Sequence, residues 1–239
     1  MARILSEFLE AAVGYDLGVA WTEGVDGGST VNEDAVSSGA GSPSGWGSQC
    51  LLIDHITVTN SYTYNAFGAT AIVFLAAELK VSAQSVADGG DGLLLYLSDA
   101  TFALGMLAVQ LEAASGVTYI KASQAADGSG TFTVAWSEPL VLAKLYRFEF
   151  KWDTTNDRWS IWVNGILYGD GALTGAAATT PAGLILIGAT AAEVAAFTAR
   201  FDRLSIDNST RIGLDNFSLI DYSKFPIEKL AAGPRRLLA

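Results

Sequence analysis

Cleaving a glycosidic bond by hydrolysis takes two carboxyl groups held on either side of it. Three acidic pairs in this 239-residue chain come near that requirement: Glu7/Glu10, Asp88/Asp91 and Asp202/Asp207. None has a spacing that aims both carboxyls into one cleft. Glu7 and Glu10 are too close to the N-terminus and three residues apart, while Asp88 and Asp91 bracket a Gly-Gly turn. Asp202 and Asp207 straddle a strand, where the two-residue period sends them to opposite faces. His55 is the single histidine. That excludes multi-histidine metal sites and leaves one possible centre for a Ser-His-Asp arrangement, which no motif supports. Cys50 is the single cysteine, so there is no internal disulfide, and its place in the run CLLI makes it a small buried hydrophobe.

The aromatic residues are the other chemical candidates, because exposed rings with a few polar groups around them bind ligands such as sugars. The chain has six tryptophans. Trp136 and Trp152 lie on aromatic strand faces and read as core. In WSIWV (159–163), alternation groups Trp159, Ile161 and Val163 on one side and Ser160 with Trp162 on the other. Trp162 therefore has a partly polar face and is the candidate sugar contact, with Tyr168 and Asp170 beside it; packing under a loop or a neighbouring subunit is the reading favoured over it. Trp21 and Trp46 flank a Gly/Ser-rich stretch and read as pins for it.

The elements that must position these residues are strands. LYRFEFKWD (145–153) puts Tyr146, Phe148, Phe150 and Trp152 on one face and Arg147, Glu149, Lys151 and Asp153 on the other, which predicts a half-buried antiparallel strand with one wet face. TFTVAWS (131–137) predicts Phe132, Val134 and Trp136 inward. Runs apolar on both faces, 50–58, 70–81, 92–98, 102–111 and 183–189, read as central strands. Turn clusters separate them: DGGDG, DGSG, DTTND and Asn164-Gly165. Asn-Gly accepts the two positive φ angles of a tight hairpin turn and needs no ligand to explain it. Many short strands at regular spacing imply an all-β, two-sheet antiparallel jelly-roll sandwich. Residues 24–49 and 171–182 read as surface loops. One domain is expected over 1–223, with 224–239 as a C-terminal arm.

Half of the residues are hydrophobic, 16% are charged, mean hydropathy is +0.32 and net charge is −11. Disorder is excluded by the apolar content. Nucleic acid is excluded as a partner by the lack of a basic footprint. The stretch 175–192 contains Pro181 and internal Gly and Thr, so no membrane span is expected. The N-terminus lacks the apolar core of a signal peptide, so synthesis in a host cytoplasm without cleavage is expected.

In order, LYRFEFKWDTTNDRWSIWVNGILYG, LILIGAT, ARFDRLSID and IGLDNFSLID resemble the concanavalin A-like superfamily, in particular its laminin G-like branch. The opening SEFLEAAVGYDLGVAWTE is similar to that family's first strand and loop. The resemblance implies two packed antiparallel sheets. It also implies what a hydrolase of the family would carry, a Glu-x-Asp-x-x-Glu strand, and this chain has none. Structural calcium in such proteins ties the first strand to the last, which places Glu10 and Asp215 as candidate ligands. A solvated Glu10 and a bulge at Asp215 fit the residues as well, since the apolar face changes from Ile212 and Leu214 to Phe217 and Leu219.

The charge-poor surface and the partnerless segment KFPIEKLAAGPRRLLA lead to the expectation of a non-enzymatic structural protein of a bacteriophage virion. Its expected partners are other virion proteins or further copies of itself, and no cofactor is expected beyond a possible structural calcium. The alternative is a lectin-like carbohydrate-binding module. A glycoside hydrolase ranks third.

Overall fold

A computed structural model describes residues 3–7, 21–25, 27–35, 49–190, 193 and 195–212. Fifteen strands form among them: β1 (Arg3–Glu7), β2 (Thr22–Val25), β3 (Thr30–Ala35), β4 (Gln49–His55), β5 (Ser61–Thr70), β6 (Ile72–Ser85), β7 (Asp91–Ser98), β8 (Gly105–Ala114), β9 (Val117–Gln124), β10 (Thr133–Pro139), β11 (Leu145–Asp153), β12 (Arg158–Val163), β13 (Ile166–Ala172), β14 (Ala182–Ala189) and β15 (Ala196–Asp207). One short 3-10 turn, Gly175–Ala178, is the sole helical element among the described residues. All pairings are antiparallel. One sheet runs β13-β12-β11-β6-β15-β4-β3, with β1 also on β15, and the other runs β10-β9-β8-β7-β14-β5-β2. The expected all-β jelly-roll sandwich is what forms.

Local chemistry sets the turns. Asp99, Asp127, Asp153 and Asp207 each accept a hydrogen bond from a backbone N–H two or more residues ahead, the Asx arrangement that closes a turn without a ligand. Asn164 and Gly165 take φ of 51° and 81°, and Asn164 Oδ1 accepts from the Arg147 N–H at 3.0 Å, so the hairpin tip is tied to β11. Between the sheets, Tyr146, Phe148, Phe150 and Trp152 meet Leu95, Leu97, Leu107, Val109 and Leu111, all nearly inaccessible to solvent. Burying that much aromatic and aliphatic surface is the main stabilising term.

Four expectations change. The far face of β11 is not wet: Arg147, Glu149 and Asp153 are 5%, 2% and 1% exposed. There Glu149 accepts from Arg211 Nε at 2.9 Å and lies 3.3 Å from Arg147 Nε, while Glu78 pairs with Arg147 and Arg203. Charges removed from water persist by being paired. Asp202 and Asp207 share a face after all. Arg203 sits in a bulge at φ 52°, so Asp202 stands opposite Glu78 and Asp207 opposite Phe74, both on the outer side of β6. In β10 a register shift between Val134 and Trp136 buries Trp136 and leaves Val134 exposed, so the three expected inward residues part company. Within 24–49 the chain pairs as the edge strands β2 and β3, because Val31 finds an inward place beside Ile53. Residues 36–48 and 213–239, and with them the expected C-terminal arm, lie outside the described residues.

Candidate functional site

The outer face of the eight-stranded sheet is crossed by Arg211 and Ile212, the latter packing on Phe74 and Ala76. The outer face of the seven-stranded sheet presents half-exposed aromatic rings instead, and its residues come from strand alternation. SYTYN in β5 sends Ser61, Thr63 and Asn65 inward and Tyr62 and Tyr64 outward. Antiparallel pairing then lines up one residue from each strand. Thr22, Tyr64, Leu186, Tyr96, Ala108, Ser123 and Val134 stand opposite one another in a row that crosses all seven strands. A second row carries Leu93, Gln110, Lys121 and Ser137, and a third Asp91, Glu112, Tyr119 and Pro139.

The floor is Leu93, Ala108, Leu184 and Leu186, buried beneath Tyr62, Tyr64, Tyr96 and Phe132. Phe102 stands edge-on to Tyr64 at 5.4 Å between centroids, and Tyr62 lies 6.3 Å from Tyr64 on the other side. Tyr96 and Phe132 make a second pair at 6.0 Å. Phe102 is 42% exposed and is held at φ 61°, a conformation a bulky side chain adopts only under constraint. The constraint is Asp99, whose carboxylate accepts from the Leu104 N–H at 2.8 Å, the Thr101 N–H at 3.2 Å and the Thr101 hydroxyl. Against the pull of its partial burial, those bonds hold the Asp99 carboxyl below its ordinary range.

Two polar features complete the face. Lys121 Nζ pairs with Glu112 Oε2 at 2.5 Å. The Tyr96 phenol is pushed above its ordinary range by burial and then by the Asp99 charge, so it keeps its proton. Glycine at position 105 makes room for it, since a Cβ there would stand 2.4 Å from the Tyr96 hydroxyl oxygen.

The residues singled out from sequence fall elsewhere. Trp162 lies on the outer face of the eight-stranded sheet with the Arg211 guanidinium over its ring at 4.3 Å. Asp170, on the neighbouring strand, pairs with Arg158 at 2.6 Å. A register shift between Ile161 and Trp162 turns Tyr168 the other way, and its ring lies 5.9 Å from Trp136. The three do not form one cluster. Glu10 and Asp215 lie outside the described residues. Among the described residues, no group of three or more His, Cys, Asp and Glu is arranged to hold a metal ion. His55 Nδ1 bonds Ser61 Oγ at 2.7 Å, and both residues are buried with the imidazole against Phe197, so this pair is packed into the fold and meets no substrate.

No family model matches the sequence, and no curated protein does. Solved structures do match in shape. The cellulose-induced protein Cip1 superposes with a TM-score of 0.61 at 16% identity, covering 87% of this chain and 99% of its own. A family 7 alginate lyase in complex with product superposes with a TM-score of 0.52 at 10% identity, over 67% of this chain and 80% of that one. An endo-β-1,4-glucuronan lyase from the fungus Trichoderma reesei gives 0.50 at 9% identity, over 79% and 94%. The fold is a two-sheet antiparallel jelly-roll sandwich. At these identities the likeness establishes the fold alone.

The same neighbours correct two expectations. The reading as a bacteriophage virion protein is overturned, because several of the structures that share this sandwich are named for polysaccharide lyases and one for a cellulose-induced protein, and none of these is a virion protein. The denial of any catalytic role falls with it, since lyases are built on this scaffold. The charge-poor surface that leads to that expectation is in part the apolar floor and rings of the seven-stranded sheet's outer face.

Proposed function

We propose that this protein binds a polysaccharide chain laid across the outer face of its seven-stranded sheet. The observation that carries the reading is the row Tyr64, Leu186, Tyr96, Ala108 and Ser123, flanked by Phe102, Tyr62 and Phe132. An apolar floor with half-exposed rings suits the C–H faces of sugars, and Gln110, Lys121 and Ser137 stand beside it to bond hydroxyls. Lys121 is the cation of these rows and Glu112 neutralises it, which suits a neutral chain better than a polyanion. The structural neighbours' names support a carbohydrate role on the same scaffold.

The test is binding of wild type, Tyr64→Ala and Phe102→Ala to soluble β-glucan, alginate and glucuronan by affinity electrophoresis and calorimetry. Removing one ring is expected to weaken binding roughly tenfold, the equivalent of about 1.4 kcal/mol. Failure to bind any of the three, or unchanged binding in both folded variants, overturns the reading.

A second reading, cleavage of the bound chain, is favoured by Tyr96. The Tyr96 phenol keeps its proton above the apolar floor and would protonate the departing sugar oxygen of a bound uronate, the C5 proton leaving to water. Elimination from a uronate leaves a conjugated double bond that absorbs ultraviolet light. Incubation with alginate and glucuronan is expected to raise that absorbance in wild type and not in Tyr96→Phe. No product from any chain removes this second reading and leaves the first.

A further inference from the structure

Away from that face, the open flank between the two sheets holds a cavity of about 330 Å³. Gln124, Asp127 and Thr133 line it from the seven-stranded sheet's side, and Trp159, Gly171 and Thr174 from the other. The cavity is a built feature. Its outer wall is two loops, 125–130 and 173–178, locked together backbone to backbone. The Thr174 N–H donates to the Ala126 carbonyl at 2.7 Å. A Cβ at position 128 would stand 2.6 Å from the Ala177 nitrogen, and one at position 175 would stand 2.6 Å from the Asp127 carbonyl oxygen. Both glycines take positive φ, 73° and 55°, so the two loops close only with glycine at each place.

The lining groups point to a ligand. Trp159 is nine-tenths buried, and its indole N–H, which makes no hydrogen bond among the described residues, is the part of the side chain left open to the cavity. The indole fits there because residues 169 and 171 are glycines; a Cβ at 171 would stand 2.9 Å from the ring nitrogen. Gln124 Oε1 is engaged by the Ala126 N–H at 2.5 Å, which leaves the amide NH2 as a donor. The Thr133 and Thr174 hydroxyls bond nothing else among the described residues. Asp127 Oδ1 accepts from the Ser129 N–H and hydroxyl at 3.0 and 2.8 Å, so the carboxylate is fixed in place. Among the described residues, no cation lines the cavity.

We infer that this flank cavity is a second sugar site that takes one neutral pyranose ring, such as a chain end or a branch. The volume is at the small end for ligand pockets, about 300 Å³ upward, which fits a single ring and not a chain. Aromatic, amide, hydroxyl and carboxylate groups together match a ring that carries C–H bonds and vicinal hydroxyls. The fixed negative charge of Asp127, with no cation opposite, discriminates against uronates. The site stands on the flank's own residues and does not depend on the sheet face.

The experiment follows the indole N–H signals by ¹H–¹⁵N NMR during titration with methyl β-glucopyranoside, methyl β-galactopyranoside and methyl α-mannopyranoside. Methyl β-glucuronide is the charged control. Trp159→Phe assigns the signal and retains the ring bulk. The Trp159 signal is expected to move with at least one neutral probe and not with the glucuronide. Thr133→Trp, at an exposed position on the rim, is expected to weaken that probe at least tenfold, while Tyr64→Ala leaves it unchanged. A Trp159 signal unmoved by all three neutral probes overturns the inference, as does equal affinity in a folded Thr133→Trp. Loss of polysaccharide binding in Tyr64→Ala with retention in Thr133→Trp reports on the face alone, so the two sites fail separately.

Discussion

Glu193 links the two sheets, and its carboxyl makes stability depend on pH in an unusual direction. It stands in the connection between β14 and β15, where its carbonyl accepts from the Val58 N–H and its N–H donates to the Thr190 carbonyl. Burial, and then the charge of Asp91, push the carboxyl from its ordinary 4.5 to about 7, against a bond from the Leu93 N–H that acts the other way. The folded state therefore holds this proton more tightly than the unfolded chain. Below about pH 4.5 both states carry it, and above about pH 7 neither does. Between those values only the folded state binds it, so stability falls as pH rises through the window. The full difference corresponds to ~3 kcal/mol. Partial exposure of the residue screens the interaction, so the expected loss is about 1–2 kcal/mol. Glu193→Gln keeps an acceptor for Leu93 and removes the titration. Urea unfolding of both proteins at pH 5 and pH 8 tests this. The variant is expected to be the more stable protein at pH 8 by about that amount and to differ little at pH 5. If the gap between them is the same at both pH values, the carboxyl does not titrate in this window and the reasoning is refuted.

Asp99 touches no proposed ligand, yet Asp99→Ala is expected to weaken β-glucan binding roughly tenfold by releasing the turn that holds Phe102 at φ 61°. A fall in affinity with little change in melting temperature supports this, and unchanged affinity refutes it. On the opposite sheet, Glu149→Ala takes from Arg147, which is 5% exposed, the nearer of two carboxylates and leaves Glu78 at 3.9 Å, and is expected to cost about 3 kcal/mol in urea unfolding. A cost below about 1 kcal/mol would mean that Arg147 is satisfied without Glu149.

Much of the fold is legible along the chain because strand patterning is local. Alternation in LYRFEFKWD, the Asn164-Gly165 turn and the Asp-led turns are decided within a few residues, and each appears where the pattern puts it. The candidate face was harder to see. Its signal was present in SYTYN, where two tyrosines alternate with small polar residues, but the size and surface preference of tryptophan drew attention to WSIWV instead. Phe132 and Phe102 could not be placed by period. The β10 bulge and a strained turn decide their direction, and both depend on partners far along the chain.

By itself, then, the amino-acid sequence determined that the fold is all-β, where most turns fall, and that the aromatic residues of LYRFEFKWD fill the space between two sheets. Those outcomes follow from short-range sterics and from a two-residue period that any extended chain obeys. Only the tertiary structure decided, among the described residues, which outer face carries paired charges and which carries half-exposed rings. It put Arg211 over Trp162 and set Tyr64, Tyr96 and Ser123 in one row from strands that lie far apart in the sequence. Register between distant strands is fixed by packing and bulges, and a one-residue shift sends a side chain to the other side of the sheet.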